Sequence, residues 1–215
     1  MTISTIELEA KLRKHLGDLS TQELPTADAI LLLNQSYWEI LDKFPFREKE
    51  ETATISTVIG QRTYPVPNPF EALQMLSVID PNNGSSSVLI RAGNYEYESI
   101  RETDSGSNGM PTKYYREESK IRLWPIPDNV YTMTIKYWTT LDDLVSGNSP
   151  LIPQSWHEII LYGACWRGFL ELRDFDAYKE YKQLQVGLIT SSVPTEAKEE
   201  RDSHESGLEV LGREY

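Results

Sequence analysis

Hydrophobic residues recur at helical spacing near both ends of this 215-residue chain, and at strand-like spacing in its middle. Close to the start, Leu8, Leu12 and Leu16 follow one another at intervals of four residues, which places them on one side of a helix. Ser4 and Glu7 precede them with the spacing of a capping box, in which each side chain accepts a hydrogen bond from the other residue's backbone N–H. The pattern predicts a first helix from Ser4 to Leu16.

A second helix is predicted to begin at Thr26, whose hydroxyl is a suitable N-cap, and to end at Pro45, which cannot continue a helix. The apolar positions of this segment follow one another by three or four residues, so they share one side of the helix. They are Ile30, Leu33, Tyr37, Leu41 and Phe44.

From Arg47 onward the spacing of apolar residues falls to about two, which is typical of strands. Turn-forming residues recur at intervals of about ten residues, as they do between the short strands of an antiparallel sandwich or barrel. The alternation is clearest in residues 121–137, where two prolines and Asp128-Asn129 separate two alternating runs. These residues are predicted to form a β-hairpin. The other predicted strands are residues 52–58, 62–66, 72–79, 88–91 and 113–116.

Helical patterns return in the last third of the chain. Ser155 and Glu158 have capping-box spacing, and the segment from Trp156 to Leu172 is apolar on nearly its whole circumference. Such a helix is either deep in a core or in contact with another copy of the chain. Gly163 allows a neighbouring helix to approach closely, and Arg167 needs a partner inside the chain or across an interface.

A fourth helix is predicted to follow Asp174, which is a suitable N-cap. Residues 191–215 beyond it are polar and charged, and by composition they are not expected to fold alone. Composition leaves open whether this segment stays disordered or becomes ordered on a partner. The predicted apolar side of the fourth helix consists of Phe175, Tyr178, Tyr181, Leu184 and Leu188.

These predictions combine into an α+β fold in which both ends of the chain form one four-helix domain. An antiparallel β-sandwich or barrel-like domain is inserted into it, and an extended C-terminal arm follows. The predicted parts are a first helix pair in 1–46, the β domain in 47–147, a second helix pair in 148–190 and an arm in 191–215 that is disordered until bound.

Acidic residues outnumber basic residues by 33 to 21, which gives the chain a net charge of −12. Such a chain is repelled by the phosphates of nucleic acids and by anionic membranes, so neither is expected to bind its general surface. Its longest apolar run, 159–166, is far shorter than the roughly 20 residues that span a bilayer. We therefore expect a soluble protein that is made in the cytoplasm and has no membrane partner.

Residues with catalytic or metal-binding chemistry form no recognisable motif in the sequence. His157 lies beside Glu158 but lacks the second histidine that zinc proteases have four residues further on. Cys165 stands in an apolar segment, where cysteine ordinarily serves as a small buried hydrophobe. The adjacent carboxylates Asp142 and Asp143 have no partner residue at a spacing that supports a hydrolase. We therefore expect no enzyme activity, no cofactor and no metal.

Aromatic residues are plentiful in the β region. Cross-strand packing is their ordinary role. The alternative is an exposed face that stacks on sugar rings, which would make the chain a carbohydrate-binding β module on a helical support. The residues concerned are Tyr95, Tyr97, Tyr114, Tyr115, Trp124, Tyr131, Tyr137 and Trp138.

Three stretches in a fixed order give the chain a resemblance to a known family. The first begins with Gly-Met-Pro-Thr-Lys-Tyr-Tyr at Gly109 and leads to Leu-Trp-Pro-Ile-Pro-Asp, which ends at Asp128. The second is the alternating run Tyr-Thr-Met-Thr-Ile-Lys-Tyr-Trp of residues 131–138, and the third is Ile152-Pro153 followed by Trp-His-Glu-Ile-Ile-Leu-Tyr-Gly-Ala. In this order they resemble the adaptor, or head-to-tail connector, proteins of short-tailed bacteriophages over about residues 1–190.

This resemblance implies a non-enzymatic virion protein at the head–tail junction, synthesised in the host cytoplasm. Members of the family form a ring of about twelve copies beneath the portal ring of the capsid. The ring extends the channel through which double-stranded DNA passes without specific binding. It also offers a docking surface to a downstream tail tube, nozzle or fibre protein.

The resemblance also makes two sets of residues candidates for contacts. The C-terminal arm is expected to grip the portal, with Val193, Leu208, Val210, Leu211 and Tyr215 as its anchors. Packing between copies in the ring is expected to involve Trp156, Ile160, Gly163 and Arg167.

Overall fold

Helices and strands occur in separate parts of the chain in this computed structural model, which describes residues 3–93 and 107–192. The helices lie near the two ends of the described chain, and the strands lie between them. The predicted mixture of α and β structure is confirmed.

The helical unit consists of residues 3–46 and 142–192 and contains the four α-helices of the described chain. They are α1 (Thr5–His15), α2 (Thr26–Lys43), α3 (His157–Glu171) and α4 (Phe175–Ser192). α3 contacts each of the other three helices, and most of its residues from Ile159 to Cys165 are buried. A helix that is apolar on nearly its whole circumference is stable only when it is surrounded in this way.

The start of α1 follows the predicted capping box. The backbone N–H of Glu7 donates to Ser4 Oγ at 3.3 Å, and the backbone N–H of Ser4 donates to Glu7 Oε2 at 2.9 Å. Leu8, Leu12 and Leu16 are buried. The predicted first helix, its cap and its apolar side are confirmed.

Of the other predicted N-caps, two are wrong and one is confirmed. Thr26 is already the first helical residue of α2, so its hydroxyl is not placed to cap the helix. Ser155 lies inside a short 3-10 turn, Gln154–Trp156, and α3 begins after it without a side-chain cap. The predicted cap of α4 is present, because Asp174 Oδ1 accepts the backbone N–H of Ala177 at 3.1 Å.

The β unit consists of residues 47–93 and 107–141, and its described strands form two four-stranded sheets. The strands are β1 (Glu50–Ser56), β2 (Thr63–Pro65), β3 (Ala72–Ile79), β4 (Ser86–Val88), β5 (Ile90–Arg91), β6 (Lys113–Glu117), β7 (Lys120–Trp124) and β8 (Thr132–Trp138). One sheet has the order β1-β8-β3-β4 and the other β2-β7-β6-β5. The described strands form no closed barrel, and a sandwich stays a prediction.

The predicted hairpin of residues 121–137 is wrong, although both of its strands exist. β7 pairs with β2 and β6, whereas β8 pairs with β1 and β3, so the two consecutive strands belong to different sheets. Ile121 and Leu123 of β7 and Met133 and Ile135 of β8 are nevertheless buried in one hydrophobic cluster. Alternation identifies the buried face of each strand, but it does not identify the strand with which it pairs.

Candidate functional site

Two side chains with reactive chemistry are closed off from solvent in the helical unit. Cys165 is buried in α3, and burial raises the pKa of its thiol to about 12, so the reactive thiolate is scarce at neutral pH. His157 is buried at the start of the same helix. Among the residues that the structure describes, no group of three or more His, Cys, Asp or Glu side chains is placed to hold a metal ion.

Trp156 and Ile160, two of the residues predicted to pack between copies, lie within the helical unit. The Trp156 ring packs against Phe44 and Phe46, with ring centroids 4.9 and 5.0 Å apart. Ile160 is fully buried. Both side chains therefore contribute to the core of one chain, and their role between copies stays a prediction.

Gly163, the third residue of that set, lies on α3 at a point that both α2 and α4 approach closely. A Cβ atom at this position would lie 1.9 Å from Ser36 Oγ of α2 and 2.4 Å from Gln185 Nε2 of α4. Gln185 is held in place because it accepts a hydrogen bond from Trp166 Nε1 at 2.8 Å and donates one to the Ile159 carbonyl at 3.3 Å. A glycine is therefore required for α2 and α4 to pack on α3 at this distance.

Arg167, the fourth residue of the set, has its partners inside the chain. Its guanidinium pairs with Glu39 of α2, donates to the Gly163 carbonyl at 2.7 Å and stacks 4.1 Å from the centroid of the Trp166 ring. Burial acts to raise the pKa of the Glu39 carboxyl, but hydrogen bonds from Lys43 and Arg167 outweigh it, so that pKa is lowered. The carboxylate thus stays ionised, and the ion pair ties α2 to α3.

The predicted anchors of the C-terminal arm lie outside the described residues, and their role stays a prediction. They are Val193, Leu208, Val210, Leu211 and Tyr215.

The aromatic residues of the β unit give little support to a sugar-binding face. Tyr131 and Tyr137 are buried, and their hydroxyls donate to Asp128 at 2.5 Å and to Glu51 at 2.7 Å. Tyr95 and Tyr97 lie outside the described residues. The rings of Tyr131 and Tyr137 therefore pack inside the unit, as cross-strand pairs do, whereas Tyr114, Tyr115, Trp124 and Trp138 are half-buried.

An exposed stripe runs along α2 on the side opposite its buried residues. Leu31 and Trp38, two helical turns apart, are 48% and 42% exposed. The indole N–H of Trp38 donates to Asp143 Oδ1 at 2.8 Å, so the exposed remainder of the ring is apolar surface. This α2 stripe consists of Asp28, Leu31, Gln35, Trp38 and Asp42.

A second exposed surface lies on α4. Gln185 is the only fully buried residue of this helix, whereas Phe175 and Val186 are 57% and 55% exposed. Lys179 and Lys182 lie between these two residues on the same side. This α4 face consists of Phe175, Lys179, Lys182, Gln183 and Val186.

The predicted apolar side of α4 is wrong in part. Tyr178 and Tyr181 do contact α3, with ring centroids 5.7 Å from Trp166 and 5.9 Å from Tyr162. Phe175 and Leu184 are exposed instead, and Gln185 occupies the centre of the contact. Sequence reasoning missed this side because a glutamine gives no hydrophobic signal. It also missed the α2 stripe, although the seven-residue spacing of its two apolar residues was a usable sign.

His157 is expected to make the stability of the helical unit depend on pH. Its Nε2 lies 3.1 Å from the Ile152 carbonyl oxygen, and its Nδ1 is buried without a hydrogen-bond partner among the described residues. Burial lowers the pKa of His157 from 6.5, although the hydrogen bond to Ile152 opposes this effect. Between the lowered pKa and 6.5 the unfolded chain binds more protons than the folded chain, so stability is lost as the pH falls through this window.

We expect His157→Gln to remove this pH dependence. The amide is neutral at every pH, so the wild-type chain should lose stability relative to the variant below pH 6.5, by at most about 1.4 kcal/mol per pH unit. Urea unfolding of both chains between about pH 5 and pH 8 measures the difference. A difference that stays constant over this range would contradict the assignment.

Comparison with known proteins agrees with the adaptor resemblance. A model of the SU10 adaptor protein family matches residues 1–206. No curated protein matches the chain. Among the described helices, none combines the length and the apolar character needed to cross a membrane.

Exposed apolar helix faces such as the α2 stripe and the α4 face are typical of surfaces that bind other proteins. The chain belongs to the SU10 adaptor protein family. The resemblance to phage head-to-tail adaptors is therefore confirmed at the level of the family. The family suggests that the chain is a phage structural adaptor.

Proposed function

We propose that this adaptor forms a ring that joins the capsid portal to the tail and extends the DNA channel. The observation that carries the proposal is the family match over residues 1–206. The proposed partners are the portal ring, a downstream tail tube, nozzle or fibre protein, and other copies of the chain, about twelve in a ring. The proposed location is the head–tail junction of the virion.

The charge of the chain suits a channel through which DNA slides. Its net charge is −12, and a wall of that sign does not hold phosphates as a cationic wall does. Double-stranded DNA is therefore proposed to pass without specific binding.

The proposed architecture assigns one task to each part of the chain. The helices of 1–46 and 148–190 form one domain that packs into the ring, and the β segment 47–147 is a sandwich that contacts the tail. Support for the sandwich comes from the shared hydrophobic cluster, to which Ile121 of one sheet and Met133 of the other both belong. Residues 191–215 are the proposed portal arm.

The proposal predicts the mass of a complex. Native mass spectrometry of the chain mixed with the portal protein of the same phage should show the portal ring plus about twelve copies. A chain that ends at Ser192 is the matched control, because it keeps all four described helices and lacks the proposed anchors. It should retain its circular dichroism and lose portal binding.

Two outcomes would contradict these expectations separately. If the full chain and the portal protein appear only as separate masses, with no complex, the proposed ring at the portal is contradicted. Undiminished portal binding by the shortened chain would contradict the proposed role of residues 191–215 in portal binding, and it would leave the proposed ring uncontradicted.

A further inference from the structure

Two exposed surfaces of the helical unit differ in charge. The α2 stripe has the carboxylates Asp28 and Asp42 near its two ends and contains no basic residue. The α4 face has the ammonium groups of Lys179 and Lys182 and contains no acidic residue. Lys179 makes only a long, exposed pair with Asp176 at 3.9 Å, and Lys182 donates to the Tyr178 hydroxyl at 2.9 Å, which leaves its charge uncompensated. Opposite charges on two surfaces favour contact between them.

Both surfaces also have exposed apolar side chains that a contact between copies would remove from water. On α2 these are Leu31 and the ring of Trp38, whose N–H is already bonded to Asp143. On α4 they are Phe175 and Val186, which stand 11 residues apart, or about three helical turns. Tryptophan with its polar atom satisfied is a residue type that often supplies much of the binding energy at an interface.

The two surfaces cannot cover each other within one chain. The inner sides of α2 and α4 converge on Gly163 of α3, through Ser36 and Gln185 respectively. The α2 stripe and the α4 face lie on the other sides of their helices, among exposed residues. A surface that fits a different surface of an identical chain produces a head-to-tail contact, which closes into a ring when the rotation allows.

We propose that the α4 face of one copy packs against the α2 stripe of the next copy. This inference rests on the proposed ring, and it adds the pair of surfaces that holds neighbouring copies together. It differs from the packing predicted for Trp156, Ile160, Gly163 and Arg167, because the residues used here are exposed in the single chain.

Cross-linking tests the pairing directly. Gln35 and Gln183 are exposed residues near the middle of the two surfaces, and Cys165 gives little background because it is buried. A chain with both Gln35→Cys and Gln183→Cys, assembled on portal rings and treated with a short bismaleimide, should give a ladder of covalent oligomers. The matched control combines Gln183→Cys with Lys11→Cys, an exposed site on α1, and should give no ladder.

Charge reversal gives a second test in chains that keep their apolar residues. Asp42→Lys or Lys179→Glu alone should weaken assembly about tenfold, because each places like charges across the contact. Both changes in one chain should restore part of it, since positions 42 and 179 then have opposite charges again. Melting temperatures of the isolated chains check that the fold is unchanged.

The outcomes separate this pairing from the proposed ring. Assembled rings without a ladder would overturn the pairing and leave the ring intact. If the wild-type chain does not assemble on portals, the proposed ring is contradicted. Cross-linking of the chain alone at high concentration then tests the pairing. A ladder would support the contact between the α4 face and the α2 stripe, and monomers alone would overturn it. A ladder that appears only in the chain ending at Ser192 would show that residues 193–215 cover the α4 face, which also overturns it.

Discussion

Replacing Gly163 by alanine is expected to lower the free energy of unfolding of the helical unit by about 2 kcal/mol. The added methyl group would lie 1.9 Å from Ser36 Oγ and 2.9 Å from Ser36 Cβ, both of which belong to a short and fully buried side chain. It would also lie 2.4 Å from Gln185 Nε2, which is fixed by its hydrogen bonds. The position of Ser36 Cβ is fixed by its backbone, so α2 must shift, and Gln185 must give up its hydrogen bond to Ile159 or move with α4. Urea unfolding of the isolated chain measures the loss.

Two further glycines of the same helices provide matched controls. At Gly187 in α4 an added Cβ would meet nothing within 4 Å, so Gly187→Ala should stabilise the chain by about 0.5 to 1 kcal/mol through helix propensity alone. At Gly168 the neighbours are the terminal atoms of Leu16 at 2.9 Å, which can rotate away, so the cost should fall between the other two. Ser36→Gly should recover part of the Gly163→Ala loss, because it removes the two clashing atoms of Ser36 and leaves that of Gln185.

The same variant separates two roles for Gly163. If its main role is packing inside the chain, Gly163→Ala lowers the stability of the isolated monomer. If it acts between copies, the monomer keeps its stability and only ring assembly weakens. An unchanged unfolding midpoint for the isolated chain would contradict the packing that the structure shows.

Local spacing was sufficient to predict the buried side of α1 and the buried faces of β7 and β8, although it failed in part for α4. Leu8, Leu12 and Leu16 were identified because a helix brings every fourth residue to nearly the same side, whatever it later packs against. The alternation predicted in residues 121–137 likewise puts Ile121 and Met133 each with the other apolar residues of its strand, and both are buried. Both predictions depend on the geometry of one segment and need no knowledge of its neighbours.

The spacing of residues within one segment could not predict which distant segments pair or pack together. β7 and β8 looked like a hairpin because they are consecutive, yet the chain passes from one sheet to the other between them. Gln185 is buried because Trp166 and the Ile159 carbonyl satisfy its amide, which depends on packing between α3 and α4. The exposed faces of α2 and α4 depend equally on which sides the other helices leave uncovered.

Replacing Asn34 by leucine is expected to cost about 3 kcal/mol, although the change adds apolar surface to a buried site. The Asn34 amide donates from Nδ2 to the Leu144 carbonyl at 2.9 Å, and the Leu144 N–H donates to Asn34 Oδ1 at 2.7 Å. Both residues are buried, so leucine leaves two backbone groups of Leu144 without a partner or water. Urea unfolding of the isolated chain measures the cost.

Gln35→Leu is the matched control, since it makes a similar change at the next residue of α2, where the amide is exposed. Its effect should stay within about 0.5 kcal/mol. Hydrogen exchange supplies the local test: Asn34→Leu should speed exchange of the Leu144 amide more than exchange in the middle of α2, because the amide loses its acceptor. If the two leucine variants are equally stable, or if exchange at Leu144 is unchanged, the paired hydrogen bonds do not hold this segment on α2.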